Sequence, residues 1–231
     1  MKDTIIIATI KTWNIENFYK LQRIYKKYNL ILFTSPEELT IQNISKYNPS
    51  YIFFPHWSWK INEDIFLNYK CIIFHETDLP FGRGGSPLQN LIIRKIYTTK
   101  ISAIQCTKEI DEGDIYIQET IDISKGDIET IFRKISKIIF FNMIPKLIKN
   151  DYIPSRQIGE VTTFKRRTPE DSNLLNYKCM SINCLYDFIR MVDSKEYPKA
   201  FIRIHNFKIE FSKVNLKKNK LIGRFEVLID E

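Results

Sequence analysis

His75 closes the apolar run Cys71-Ile72-Ile73-Phe74 and opens a polar, glycine-rich stretch. Imidazole titrates near ~6.5 when unperturbed, so a histidine at a strand end can give or take a proton near neutral pH. A lone histidine after a strand is more often structural, so this residue decides nothing alone. The second feature is Asp111-Glu112-Gly113-Asp114. Taken alone it is a β-turn, which Asp and Gly favour for backbone reasons. It lacks the spaced carboxylates of an EF-hand loop. Together the two features put an imidazole and a carboxylate at neighbouring strand ends, a pairing suited to acid–base chemistry.

Glycine marks the same region. The chain has seven glycines, and Gly82, Gly84, Gly85 and Gly113 all fall between residues 82 and 113. A chain that avoids glycine and then concentrates it needs unusual backbone angles or close ligand approach there. The bland reading is a strand-to-helix connection. The segment has neither a Walker lysine pattern nor the dinucleotide spacing.

The elements around these residues alternate. Strand-length runs at Ile5–Ile10, Leu30–Phe33, Tyr51–Phe54 and Cys71–Phe74 are separated by helical patterns at 16–27, 36–38 and 62–68. In the first helix Phe18, Leu21, Ile24 and Tyr25 recur at helical spacing. The spacing predicts a helix over 87–97 capped by Ser86, strands over 101–106 and 115–123, and one long helix over 127–150 with Pro145 as a kink or stop. This order predicts an α/β fold: a mostly parallel, Rossmann-like sheet with helices on both faces, whose ligands bind beyond the carboxyl ends of the strands. After residue 150 the texture changes to one helix (181–193) and alternating strands at 200–204, 207–214 and 221–229. The expected division is a catalytic core over 1–150 and a small C-terminal α+β subdomain over 151–231.

Composition bounds the function class. A length of 231 residues allows a substantial core without staples. No apolar stretch approaches the ~20 residues needed to span a bilayer. The start of the chain reads as a strand, not a signal peptide. Cys71, Cys106, Cys179 and Cys184 show no zinc spacing, and the reading is reduced, mostly buried thiols in a cytoplasmic protein. The net charge of +8 fits either a solvated basic surface or an anionic ligand. The clusters Lys165-Arg166-Arg167 and Lys217-Lys218-Asn219-Lys220 are short, which speaks against a non-specific nucleic-acid binder.

The pattern His75, Leu79, Pro80, Arg83, Gly84, Pro87, Gln89 resembles the folate-dependent formyltransferases, the family of methionyl-tRNA formyltransferase, glycinamide ribonucleotide transformylase and the sugar N-formyltransferases. Asp111, Gly113 and Asp114 look like that family's second motif. The resemblance continues through Thr163–Asp171, and Ile189-Arg190 with Tyr197–Phe201 looks like the sugar N-formyltransferases. It implies attack of an acceptor amine on the formyl carbon of 10-formyltetrahydrofolate, with His75 at the oxyanion and Asp111 orienting His75 and taking the proton. No metal is implied. Trp57, Leu79, Pro80, Arg83, Gly84 and Gly113 would border the folate, and Thr12, Trp13, Asn14, Phe81 and Gly82 the acceptor. For Asn14 the plain alternative is a helix cap.

One residue departs from the pattern. The family usually has an asparagine two positions before the histidine, where this chain has Ile73. His56, in Pro55-His56-Trp57-Ser58-Trp59, is the expected substitute donor; the alternative is that it and the tryptophans are packing or a stacking wall. Asn90 is a second, more distant candidate. About 80 residues follow residue 150, which favours a small acceptor, a UDP- or dTDP-linked amino sugar. The alternatives are a methionyl-tRNA formyltransferase-like enzyme and a non-catalytic folate- or nucleotide-binding descendant. An apolar surface on the C-terminal strands could pair two copies as a homodimer.

Overall fold

A computed structural model describes residues 2–178 and 181–230. Cys179 lies outside the described residues. In chain order the elements are β1 (Thr4–Ala8), α1 (Thr12–Ile24), β2 (Asn29–Phe33), α2 (Ile41–Ser45), β3 (Tyr51–Phe54), α3 (Glu63–Asn68) and β4 (Cys71–His75). Then follow β5 (Arg83–Gly84), α4 (Pro87–Ile93), β6 (Thr98–Gln105), β7 (Ile115–Asp122), α5 (Ile128–Ile138) and α6 (Ile144–Lys149). The last are β8 (Thr163–Phe164), α7 (Ile182–Arg190), β9 (Ala200–Ile204), β10 (Phe207–Lys217) and β11 (Lys220–Ile229). Contacts group the chain into two compact units: residues 1–83, 100–121 and 133–163, and residues 84–99, 122–132 and 164–231.

The first unit is built on the sheet ordered β2-β1-β3-β4-β6-β7. β1 pairs in parallel with β2 and β3, β3 pairs in parallel with β4, and β4 meets β6 antiparallel. Strand alternation sends Ile6, Ala8, Ile52 and Phe54 to one face, where Ile44 of α2 and Ile65 of α3 complete a buried cluster. Ile5, Ile7 and Phe53 point the other way and are equally buried, so both faces are covered. The expected mostly parallel α/β sheet is the observed one.

The second unit holds α4, α7 and the antiparallel sheet β11-β10-β9. Its centre is a buried clasp. Arg190 binds Asp187 Oδ1 at 2.7 Å and donates to the Ile123 and Gly126 carbonyls at 3.0 Å each. The Tyr97 hydroxyl donates to Asp187 Oδ2 at 2.6 Å. Burial and the Asp187 contact push the Tyr97 phenol up to about 12.

Several local expectations are corrected. α1 starts at Thr12, not residue 16, and Asn14 lies inside it rather than capping it, because its amide is held by partners outside the helix. Pro36–Glu38 is a turn, not a helix. The Glu38 carboxylate folds back to accept from the Thr34 and Ser35 amides, and the helix begins after Thr40. Ser86 precedes α4 with φ +51° and caps nothing; its hydroxyl accepts from the Arg167 amide. The long helix over 127–150 is broken by a π-helical turn at Ile139–Met143, ahead of Pro145. Cys71 and Cys106 are buried, and burial raises both thiols, Cys106 to about 12. Cys184 is only half-buried.

Candidate active site

β4 delivers His75 to the edge of the sheet with only 6 % of its surface exposed. Its Nε2 lies 2.8 Å from the Gly82 carbonyl. A carbonyl can only accept, so Nε2 carries a hydrogen. The Thr77 hydroxyl also donates to that carbonyl, at 3.3 Å, and the Ser102 hydroxyl anchors the Thr77 carbonyl at 2.8 Å. Gly82 has φ +76°, which glycine adopts without strain. The other nitrogen, Nδ1, faces Asp111 Oδ2 at 3.4 Å. The sequence-predicted histidine and aspartate are therefore together, with both side chains at least nine-tenths buried.

The Asp111 turn is held from outside its own segment. Gln157 Nε2 donates to the Asp111 and Gly113 carbonyls at 2.8 Å each. Arg83 binds Gln157 Oε1 through Nε and Nη2 at 3.1 and 2.9 Å, and Glu112 through Nη1 at 2.6 Å. Arg83 thus braces the turn that carries Asp111. Asp111 itself has φ +56°, a left-handed conformation that Asp tolerates better than most residues. Gly113 is needed for close approach: a Cβ there would stand 1.8 Å from the Gln105 carbonyl oxygen. Thr162 was not anticipated either; its hydroxyl accepts from the Gly82 amide at 2.7 Å.

A second histidine–carboxylate pair stands in the same unit. His56 Nε2 lies 3.1 Å from Glu76 Oε1, with both side chains more than nine-tenths buried. His56 Nδ1 is 3.0 Å from Asn14 Nδ2, which is a donor, so Nδ1 accepts and the ring hydrogen sits on Nε2, the nitrogen nearer Glu76. Asn14 also reaches Thr9 Oγ1 and the Pro55 carbonyl at 2.9 and 3.1 Å. Burial opposes the charge of Glu76. The His56 hydrogen bond and the nearby imidazoles outweigh that and hold its carboxyl below the ordinary value. Asn14 engages Nδ1 of His56, while Nε2 stands within ion-pair distance of Glu76. Sequence reasoning missed Glu76 because nothing local distinguishes it from a solvated acid after a strand.

The remaining sequence candidates fall as follows. Ile73 packs against the same cluster as Trp57 and carries no donor. Trp13 meets the His56 ring edge-on at 6.1 Å, and Trp57 and Trp59 lie 5.1 Å apart. Leu79 and Pro80 are buried and joined by a cis peptide bond, Phe81 is half-buried, and Thr12 is exposed. Gly84 (φ +97°) opens the second unit. There the Asn90 amide is taken up by the Gly85, Ser86 and Lys165 carbonyls, at 3.1 Å each. Trp57 Nε1 and Asn14 Oδ1 are buried without a hydrogen-bond partner. A cleft of about 660 Å³ opens between α2 and α3, lined by Thr40, Asn62, Ile65 and Tyr69; no member of either histidine–carboxylate pair lines it. Among the described residues no helix is long and apolar enough to cross a membrane.

Comparison with known proteins narrows the chemistry this geometry can serve. Residues 169–228 match the family model described as methionyl-tRNA formyltransferase, C-terminal domain. A methionyl-tRNA formyltransferase from Mesoplasma florum is 31% identical over 152 residues, 64% of this chain and 47% of the relative. The bifunctional polymyxin resistance protein ArnA of Wigglesworthia glossinidia brevipalpis is 30% identical over 198 residues, 79% of this chain and 29% of the relative. The chain thus spans about half the length of the first-named curated relative. The solved structure of a methionyl-tRNA formyltransferase from Clostridium thermocellum superposes with a TM-score of 0.94 at 47% identity, over 98% of this chain and 99% of that one. With that identity over nearly all of both chains, this chain belongs to the formyltransferase family.

Proposed function

We propose that this chain transfers a formyl group from 10-formyltetrahydrofolate to an amine. The observation that carries the reading is the buried His75–Asp111 pair at 3.4 Å, on the two motifs that resemble the family. The acceptor nitrogen attacks the formyl carbon, and the carbonyl electrons move onto oxygen. The amine then yields a proton to the Asp111–His75 edge. When the oxyanion collapses, the bond to N10 of the folate breaks and that nitrogen takes the proton. A fixed imidazole–carboxylate pair suits this shuttle because it requires little rearrangement at the moment of transfer.

With Ile73 where an asparagine donor is usual, His56 is the proposed second polar participant, positioned by Glu76 and Asn14. The folate would lie against Trp57, Leu79, Pro80, Gly84 and Gly113. Arg83 acts at least in part by bracing the Asp111 turn. Thr12, Trp13, Asn14, Phe81 and Gly82 are the proposed acceptor side. Asn14 Oδ1 and Trp57 Nε1, buried without partners, are polar atoms a ligand could satisfy. Residues 1–150 are proposed to carry the transfer chemistry and 151–231 to serve the acceptor.

The acceptor with most support is methionyl-tRNA, the substrate named for the Clostridium thermocellum and Mesoplasma florum proteins. The charge of +8 suits a polyanionic acceptor. A second reading, a UDP- or dTDP-linked amino sugar, rests on the Tyr197–Phe201 stretch. The test offers the protein 10-formyltetrahydrofolate with methionyl-tRNA or with nucleotide-linked 4-amino sugars and follows tetrahydrofolate release. Release with tRNA, weakened steeply by salt, supports the first acceptor; release only with a sugar nucleotide supports the second. Folate binding without release in any mixture would mark a non-catalytic descendant.

A further inference from the structure

Glu76 carries a charge that no permanent cation cancels. The residue is 6% exposed, and His56 Nε2 faces its carboxylate at 3.1 Å. Among the described residues no lysine or arginine forms an ion pair with it. His56 is not a cation either: its Nδ1 accepts from the Asn14 amide, so the ring holds one hydrogen and no charge. His75 adds at most one positive charge, and Asp111 already stands 3.4 Å from its Nδ1. The carboxyl of Glu76 is nonetheless held below its ordinary value, so it is ionised at neutral pH. Burying a carboxylate is costly unless a cation matches it. Such groups concentrate at binding and catalytic sites.

A second atom calls for the same ligand. Asn14 is fully buried, and its Oδ1 has no hydrogen-bond partner among the described residues. The other end of that amide is fixed, because Nδ2 lies 2.9 Å from Thr9 Oγ1, 3.1 Å from the Pro55 carbonyl and 3.0 Å from His56 Nδ1. Turning the amide over would set its oxygen against the Pro55 carbonyl, which can only accept. The His56 ring thus has Asn14 at one nitrogen and Glu76 at the other. Trp13, itself buried, meets the same ring edge-on at 6.1 Å. Its apolar bulk lowers the local dielectric and strengthens any charge contact made there. The group that satisfies both atoms is compact, cationic and rich in donors. A primary ammonium brings a full charge and several N–H donors, whereas a hydroxyl brings no charge and a single donor.

We infer that Glu76 and Asn14 Oδ1 seat the acceptor's amine in its protonated form, and so select an amine over a hydroxyl acceptor. This rests on the reading that the acceptor is an amine; it adds the charge state in which that amine binds and the residues that recognise it. Glu76 takes no proton in this role. Attack needs a lone pair, so the seated ammonium first releases one proton to water. The pair from that N–H bond stays on nitrogen and becomes the attacking pair. The second proton leaves after attack, to the Asp111–His75 edge. His75 directly precedes Glu76, so the ammonium seat and the transfer pair share the carboxyl end of β4.

Isothermal titration calorimetry on the full chain, without folate, tests this independently of turnover. The probes are two matched pairs: tRNA esterified with methionine or with its 2-hydroxy counterpart, and a UDP-linked 4-amino sugar or its 4-hydroxy counterpart. The titrations are run at about pH 7, below the ordinary α-amino value of about 7.7 to 8.0. In whichever pair binds, the amine should bind roughly tenfold or more tighter than the hydroxyl. Glu76→Gln should shrink that preference to about threefold or less while leaving the affinity for the hydroxyl compound within about threefold of wild type. Circular dichroism confirms that the variant is folded; if it is not, the preference of the wild-type chain decides alone. Binding of neither pair, or equal wild-type affinity for amine and hydroxyl, overturns the inference. So does a folded Glu76→Gln variant whose preference is unchanged, or one that loses both compounds equally, which would make Glu76 a structural anchor. A preference for the amine with no tetrahydrofolate release in any mixture leaves the seat standing and removes the formyl-transfer reading instead.

Discussion

Each of the two compact units buries charged groups, and the pairs are built for different ends. In the second unit Arg190, Asp187 and Tyr97 form a clasp whose cation never releases its proton and whose other bonds go to backbone carbonyls. Such a group can only hold structure together. In the first unit His75 faces Asp111 and His56 faces Glu76. Histidine changes charge near neutral pH, so these pairs can move a proton while their surroundings stay fixed. The difference lies in the cation, not in the depth of burial.

This contrast can be broken at several points. Arg190→Met should have the largest effect on the fold, about 3 to 5 kcal/mol, because it leaves Asp187 buried without its cation. Urea unfolding with an unchanged slope would measure it. His75→Ala should cost less stability than Arg190→Met, since the chain loses a neutral or titratable ring rather than a fixed buried cation, and should slow formyl transfer by about a hundredfold or more. A variant that unfolds readily but retains its turnover would place His75 with the clasp rather than with the chemistry.

Glu76→Gln should cost about 1 to 3 kcal/mol at neutral pH, since His56 keeps an acceptor but loses a charge. The sign with pH follows from the lowered carboxyl of Glu76. The stability it contributes is complete above the ordinary carboxylate value of about 4.3 and fades as pH falls through the lower folded value. The gap between wild type and variant, read by thermal unfolding from pH 7 downward, should therefore close in acid. The smallest effect should come from Arg203→Ala. Its partners Glu170 and Asp230 are on the surface, where exposed ion pairs contribute little, and the unfolding midpoint should stay within experimental scatter.

The comparison also explains what the sequence could disclose. β1, β3 and β4 are apolar runs between breakers, so their existence and order were legible. His75 and Asp111 were legible because the first closes a strand and the second sits in the turn between two strands, each in a recognisable motif. Asn14 was ambiguous: an asparagine near a helix start ordinarily caps it, and only the fold brings Pro55 and His56 within reach of its amide. Glu76 and Gln157 were not legible, since their partners lie 20 and 46 residues away in the chain. The π-helical turn at Ile139–Met143 was hidden for a related reason. Its residues are good members of a continuous apolar face, and the extra residue per turn leaves no mark in composition.

The most direct test of the central claim is the rate of tetrahydrofolate release by the wild-type chain and by Asp111→Asn, at saturating 10-formyltetrahydrofolate and the better acceptor. Asparagine keeps the size of the side chain and removes its basicity. The account expects a fall of about a hundredfold or more in kcat with KM for the folate little changed. Equal kcat in the two proteins would contradict it.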